Sequence, residues 1–476
     1  MIRYVCAFGF VGVLIGSAGA QLCDPVETQT ILAFDGNSTD YFGGAVSVFG
    51  NRMAIGSVYH EGSGVRAGAV YAYDFDGSSW VIDSVIYPFN VNQTPQVNSD
   101  SFGDDLDIDG DVMVIGASGM DQDVFPLRVD TGSASVYRHD GNIWNYETTL
   151  WASDGDFGDW FGKTVAIDGN MIVVGASAHD YNNFLGTNSG AAYVYRFDGA
   201  SWSEVVELEM QTPEPGAQYG NAVAIDGHVI VVGAQYSSEL GINDAGLVYV
   251  YRFSGGVITL EATLSPSDAV TGQLFGASVA ISGNRIVVGA PGDPANNQGA
   301  AYIFNYNGNQ WNQVAKMSDS HSFNDDQFGR VVAIDGDSIV VGVPSSDENG
   351  VDSGQVYSYA ISNSTLSNPV IMRASDGAEG DYFGTAVAVS GEHIVVGASQ
   401  SDSLVYLAGA AYTMSMACPS ACPADFTGDG LLNFFDVSAF LGAYSVMDPA
   451  ADFTGDGAFN FFDVSAFLSA YSAGCP

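Results

Sequence analysis

Residues 275–311 read FGASVAISGNRIVVGAPGDPANNQGAAYIFNYNGNQW, and the fold follows from them. Two apolar, β-branched runs, Val279-Ala280-Ile281 and Ile286-Val287-Val288, flank Ser282-Gly283. Such runs across a glycine-containing turn predict a tight hairpin of type I′. A third strand follows at Ala300-Ala301-Tyr302-Ile303-Phe304, and Trp311 leads a fourth. A sheet of four short strands cannot bury both its faces alone, so it needs neighbours of its own kind.

Those neighbours are present. A Phe-Gly, once Tyr-Gly, recurs at Phe42, Phe102, Phe161, Tyr219, Phe275, Phe328 and Phe383, spaced 53 to 60 residues apart. The turn pair recurs at Asp109-Gly110, Asp168-Gly169, Asp226-Gly227, Ser282-Gly283, Asp335-Gly336 and Ser390-Gly391, and fourth-strand tryptophans stand at Trp80, Trp144, Trp202 and Trp311. Seven copies predict an all-β, seven-bladed β-propeller of four-stranded blades. The seventh copy supplies three strands, ending near Met414-Ser415-Met416. Residues 27–34 look like the missing fourth, so the N-terminal strand is expected to complete the last blade.

The composite motif resembles the FG-GAP repeat of integrin α-chain heads and bacterial surface proteins, over roughly residues 25–418. Integrin blades that hold calcium do so in a long Asp-rich loop between their first two strands. Here that connection is a two-residue turn in every copy, so the resemblance carries over the fold and not those metal sites.

The N-terminus predicts export. Arg3 precedes an apolar stretch over residues 4–15, and Ala18-Gly19-Ala20 forms a small-x-small cleavage site. This is the layout of a signal peptide over residues 1–20, too short for a membrane span and without a lipoprotein cleavage box. The predicted mature protein is secreted or held at the cell surface, with the propeller over 21–418 and a further module over 419–476. Its 55 acidic against 12 basic residues give a formal charge of −43. That excludes electrostatic binding of nucleic acid and disfavours anionic membranes. Cys6 leaves with the signal peptide, and Cys23, Cys418, Cys422 and Cys475 allow three disulfide pairings. The blade arrangement favours Cys23–Cys418 at the ring closure and Cys422–Cys475 around the C-terminal module, against a mixed pairing of the adjacent Cys418 and Cys422.

That module is a duplication. Residues 425–444 and 452–471 are identical at 17 of 20 positions. Each opens as a twelve-residue EF-hand-type loop, with oxygen donors at positions 1, 3, 5, 7, 9 and 12. In the first copy these are Asp425, Thr427, Asp429, Leu431 (by its carbonyl), Asn433 and Asp436; in the second, Asp452, Thr454, Asp456, Ala458, Asn460 and Asp463. Gly430 and Gly457 stand at the sharp bend. The cadence predicts two Ca2+ ions. Threonine at position 3 and aspartate at 12 lower the affinity, so the sites are expected to fill at extracellular millimolar calcium. One amphipathic helix follows each loop, carrying Val437, Phe440, Leu441 and Tyr444, then Val464, Phe467, Leu468 and Tyr471. Loop and exiting helix in tandem resemble a dockerin over about 422–476. The resemblance implies a cohesin-like or other envelope scaffold partner, met at loop positions 10 and 11, here Phe434-Phe435 and Phe461-Phe462. Those aromatics fill the module's core or face a partner, and sequence leaves both readings open.

Catalytic signatures are lacking. The six histidines are scattered, no H-E-x-x-H or G-x-S-x-G occurs, and Gly162-Lys163-Thr164 imitates a phosphate loop whose first glycine is replaced by Phe157. The chain is therefore expected not to be an enzyme. Its propeller should bind a glycan or protein ligand on the face carrying the long connections, such as 118–132 and 177–190, with the tail docking to a scaffold in calcium. Acidic pairs such as Asp325-Asp326 are read as solvated loop carboxylates. The alternative is a polysaccharide-degrading enzyme attached through its dockerin, whose two carboxylates are set by three-dimensional geometry and not by sequence spacing.

Overall fold

The computed structural model describes residues 25–61, 66–88, 100–121, 130–180, 187–292, 299–319, 326–362, 365–402, 406–416, 424, 426–427, 434–454 and 457–473. Pro25–Ser415 forms one compact unit, and the described residues beyond it belong to another. The four cysteines assigned to disulfides lie outside the described residues.

The repeat becomes seven antiparallel sheets, as expected. In the third blade Phe161–Asp168, Met171–Ala176, Ala191–Phe197 and Trp202–Leu208 pair in that order. The second strand, Met-Ile-Val-Val-Gly-Ala, is buried at all six positions. It reads as a continuous apolar run because neighbouring blades cover both its faces. The fourth strand lies outermost and alternates exposed with half-buried residues over most of its length.

The hairpin turn corrects the sequence expectation. Asp168 pairs with Met171, so the aspartate ends its strand and Gly169-Asn170 form the turn. Glycine at this first central position takes φ between 55° and 61° in all seven copies, with no positive φ at the residue after it. That is the signature of type II′, not type I′.

Each Phe-Gly aromatic is wholly buried. In six blades it meets a third-strand tyrosine edge-on, as Phe42 meets Tyr71 at 5.2 Å and Phe161 meets Tyr193 at 5.4 Å between ring centroids. Such pairs add specific geometry to large apolar burial. The second blade has Ser135 at the tyrosine position, and Phe102 reaches the neighbouring Tyr137 at 6.4 Å.

The ring closes through its first strand. Val26–Ile31 pairs antiparallel with Ala410–Ser415, completing the sheet begun by Ala386–Ser390 and His393–Ala398. The closing strand is shorter than the expected 27–34. The sixth blade departs from the pattern: its fourth strand is split into Thr365–Leu366 and Val370–Met372, both paired to Gln355–Ser362. Pro369 separates the two pieces, and a residue without an N–H cannot continue a ladder.

The C-terminal unit holds two helices, α1 (Phe434–Ser445) and α2 (Phe461–Ala473). Its core is Ala424, Phe440, Ala451 and Phe467. Phe440 and Phe467 stack in parallel with centroids 4.0 Å apart. Phe426 and Phe453, each one residue after a loop's first aspartate, meet that stack edge-on at 5.6 Å. Among the described residues no helix is long and apolar enough to cross a membrane.

Candidate functional site

The long connections and the segments leading into each Phe-Gly lie at the same end of the blades. There the residue before each Phe-Gly has a left-handed backbone in all seven copies: Tyr41, Ser101, Trp160, Gln218, Leu274, Gln327 and Tyr382, with φ of 53° to 61°. Non-glycine residues rarely adopt this conformation, and each costs on the order of 1 kcal/mol. The N–H of the following aromatic compensates by donating to the preceding blade, as Phe161 does to Thr131 O at 3.0 Å. The left-handed bend brings Trp160, Gln218, Gln327 and Tyr382 to the wall of a central cavity of about 800 Å³.

The cavity wall explains part of the acidity. In the second blade's first strand, Phe102–Asp109, Asp105 accepts the Val165 N–H at 2.8 Å. Asp107 accepts the Ile167 N–H at 2.9 Å and the Ser47 hydroxyl at 3.0 Å. These carboxylates satisfy backbone donors of the next blade's inner strand. Loss of hydration against the cavity wall pushes Asp105 up to about 7 and Asp107 up to about 6. Lys163 of the phosphate-loop imitation donates to Asp104 at 2.8 Å, and Thr164 to Gly220 O at 2.9 Å, so both are inter-blade fasteners.

Outside the cavity, aspartates before Phe-Gly accept from the third-strand tyrosines. Tyr71 donates to Asp35 at 2.6 Å, Tyr193 to Asp154 at 2.8 Å, Tyr302 to Asp268 at 2.9 Å and Tyr412 to Asp376 at 2.8 Å. In two blades a buried histidine joins the group. His60 Nδ1 lies 2.9 Å from Asp40, and His179 Nδ1 lies 3.1 Å from Asp159. Reading the histidines one by one misses this. The available signal was an Asp-x-x-x-x-Asp before Phe-Gly with a histidine 20 residues beyond the second aspartate, found twice. Of the acidic pair Asp325-Asp326, Asp325 lies outside the described residues and Asp326 is buried.

In the C-terminal unit both copies bring position 3 against position 12. Thr427 donates its N–H and hydroxyl to Asp436 Oδ1, at 3.0 and 2.8 Å. Thr454 repeats this with Asp463, at 3.1 and 2.9 Å. Both aspartates are fully buried. The Asn460 N–H donates to Asp463 Oδ2 at 2.8 Å and holds that carboxyl below the usual range. Asp452 Oδ2 accepts the Gly457 N–H at 2.7 Å, and the Asn460 side chain donates to Ala458 O at 2.9 Å. The gathered candidate ligands are all oxygens, which is the donor chemistry of a calcium loop. Asp425, Asp429, Leu431, Asn433 and Asp456 lie outside the described residues.

The four loop phenylalanines do not enter the core. Phe434 and Phe435 are 75% and 69% exposed, Phe461 and Phe462 75% and 68%. The aromatics of the core are instead Phe440 and Phe467, with Phe426 and Phe453 packed against them.

Comparison with known proteins agrees with the blade pattern. The FG-GAP repeat family matches residues 25–73, 144–195, 202–251, 258–304, 311–359 and 369–414. Each match runs from the outer strand of one blade to the third strand of the next, so the sequence repeat is offset from the structural blade by one strand. The copy around Phe102, with its acidic inner strand, falls between matches. No curated protein matches the chain. Among solved structures, a chain from "Crystal Structure of Mitotic Checkpoint Complex" is similar over 87% of this chain and 98% of its own, with 14% identity and a TM-score of 0.50. At that identity the likeness is one of fold alone. The six family matches together cover more than half of the residues: the chain belongs to the FG-GAP repeat family.

Proposed function

We propose that this is an exported binding or adhesion protein. Its propeller engages a glycan or protein ligand through the long-loop end, and its C-terminal unit docks to a dockerin-recognising scaffold in calcium. The observation that carries the docking half is the exposure of Phe434, Phe435, Phe461 and Phe462, two per copy, next to the candidate calcium loops. An apolar side chain left in water twice at equivalent positions suits a partner surface. Calcium would be held by the position 1, 3, 5, 7, 9 and 12 oxygens of each loop, fixing the start of each helix and therefore the phenylalanines. The propeller half rests on the FG-GAP fold, in which the second-to-third-strand connections leave and rejoin the ring at one end.

The test uses the full chain as bait against a surface extract of its source cells, in calcium and in EDTA. A partner retained in calcium and lost both in EDTA and after replacing the four phenylalanines by serine supports docking. Retention that ignores calcium and the phenylalanines removes the docking reading.

A further inference from the structure

We propose that Asp154, His179 and Glu207 form a binding site for one divalent transition-metal ion of the zinc class, at the long-loop end of the third blade. The site is independent of the calcium loops and of the docking reading.

The central observation is a buried imidazole with one nitrogen anchored and the other near two carboxylates, beyond hydrogen-bond distance of both. His179 is 4% exposed. Its Nδ1 is held by Asp159 Oδ2 at 3.1 Å, and Asp159 is itself buried. A nitrogen hydrogen-bonded to a carboxylate carries the proton, so in the neutral imidazole the lone pair is on Nε2, the nitrogen available to a metal. Nε2 points between two carboxylates, 3.9 Å from Asp154 Oδ2 and 3.6 Å from Glu207 Oε1. Both distances exceed a hydrogen bond, and no described residue hydrogen-bonds to Nε2. One ligand atom from each residue lies within 4.8 Å of both others. A tetrahedral ion with ligands at about 2.0–2.1 Å sets them roughly 3.3 Å apart. The two gaps to Nε2 need to close by roughly 0.6 and 0.3 Å, and the two carboxylates, within 4.8 Å of each other, must also draw together.

The carboxylates are braced in place. The Tyr193 hydroxyl donates to Asp154 Oδ1 at 2.8 Å and lies 3.5 Å from Glu207 Oε1. Tyr193 and Glu207 are register partners on adjacent strands, so the sheet itself fixes their spacing. Asp159–His179 is then the carboxylate–histidine pair that orients a metal ligand from behind. One imidazole and two carboxylates suit zinc, manganese or cobalt, whereas calcium prefers oxygen alone. Three protein ligands leave a fourth position open at the long-loop end.

Two look-alikes sharpen the assignment. The first blade repeats Asp35, Asp40, His60 and Tyr71, with Nε2 3.8 Å from Asp35, but Tyr71 faces Val85 where Tyr193 faces Glu207. It lacks the third ligand. Asp74, Asp83 and His139 also lie close enough together, but the Arg52 guanidinium sits 2.8 Å from His139 Nδ1 and 3.8 Å from Asp74. A cation already occupies that neighbourhood.

The experiment titrates the full chain, stripped of metal by chelator, with Co2+ in excess calcium, reading the cobalt d–d absorption and then displacement by Zn2+. One equivalent should bind. His179→Ala and Glu207→Gln should each weaken binding at least tenfold, Asp159→Asn should weaken it about tenfold through misorientation, and His60→Ala should leave it unchanged. Near-UV circular dichroism checks folding, and the isosteric Glu207→Gln decides if His179→Ala fails to fold. No cobalt uptake by the wild type, or equal uptake by Glu207→Gln, overturns the proposal.

Discussion

Two glycines of the third blade show how different reasons for one residue type separate at the atomic scale. Gly169 sits in the hairpin turn with φ of 56° and open space where a Cβ would stand. Its substitution by alanine meets no clash and costs only the backbone strain of a type II′ first position, roughly 1–2 kcal/mol. Gly175 has no positive φ, but a Cβ there would lie 2.1 Å from Gly220 O in the next blade. The same contact recurs around the ring, as between Gly116 and Gly162 O and between Gly397 and Gly43 O. Gly175→Ala must push two blades apart, and we expect a loss of about 3 kcal/mol in denaturant unfolding. Equal losses at the two positions would show that blade separation is not under steric control.

At the scale of the element, the strand that closes the ring carries a reciprocal clasp. The Gln29 side chain donates to Trp80 O at 3.1 Å and accepts the Trp80 N–H at 3.0 Å, tying the last blade's outer strand to the first blade. Glu27 accepts the Ser375 N–H and hydroxyl on the other side, at 3.0 and 2.8 Å. Gln29→Ala leaves two backbone groups without this partner and should cost roughly 1–3 kcal/mol. Deleting residues 25–31 exposes Ala410–Ser415 as a free edge. The expected outcome is a lost cooperative transition and concentration-dependent association, read by calorimetry and light scattering. A truncated chain that still melts sharply as a monomer would mean that the ring does not depend on its latch.

At the scale of the whole molecule, the acidity makes stability depend on pH in a direction unusual for a folded protein. Burial and neighbouring carboxylates push Asp100 up to about 7, and burial raises Asp105 to about 7 and Asp107 to about 6. Their unfolded values are those of ordinary carboxylates, near ~4. Between those limits the folded chain binds more protons than the unfolded one, so stability falls as pH rises from about 4 to about 7. The formal charge of −43 acts in the same direction through self-repulsion. The denaturant midpoint should therefore be higher at pH 5 than at pH 8. Asp105→Asn should reduce that difference at fixed ionic strength, whereas added salt should reduce the repulsion alone. A midpoint that rises toward pH 8 would contradict the carboxylate assignment.

The blade count, strand order, ring closure and family were legible in the one-dimensional pattern. A propeller repeats local chemistry: alternation, a turn glycine and an apolar second strand each report on a few adjacent residues, and seven copies multiply the signal. What those residues do between blades was not legible. The turn aspartates look like turn formers, yet Asp168 Oδ2 accepts the Gly227 N–H at 2.8 Å and Asp335 Oδ2 the Gly391 N–H at 2.7 Å, some 56 to 59 residues away. The exposure of Phe434 and Phe461 was undecidable for a related reason: Phe426 and Phe453 compete for the same small core, and only packing selects between them. His179, Asp154 and Glu207 come from two loops and an outer strand, and no linear motif encodes a distance across a sheet. Sequence by itself determined the elements and their order, because those rest on short-range backbone preference and periodicity. Only the tertiary structure decided which carboxylates fasten blades and which surround an open histidine nitrogen, because those roles depend on contacts that folding alone creates.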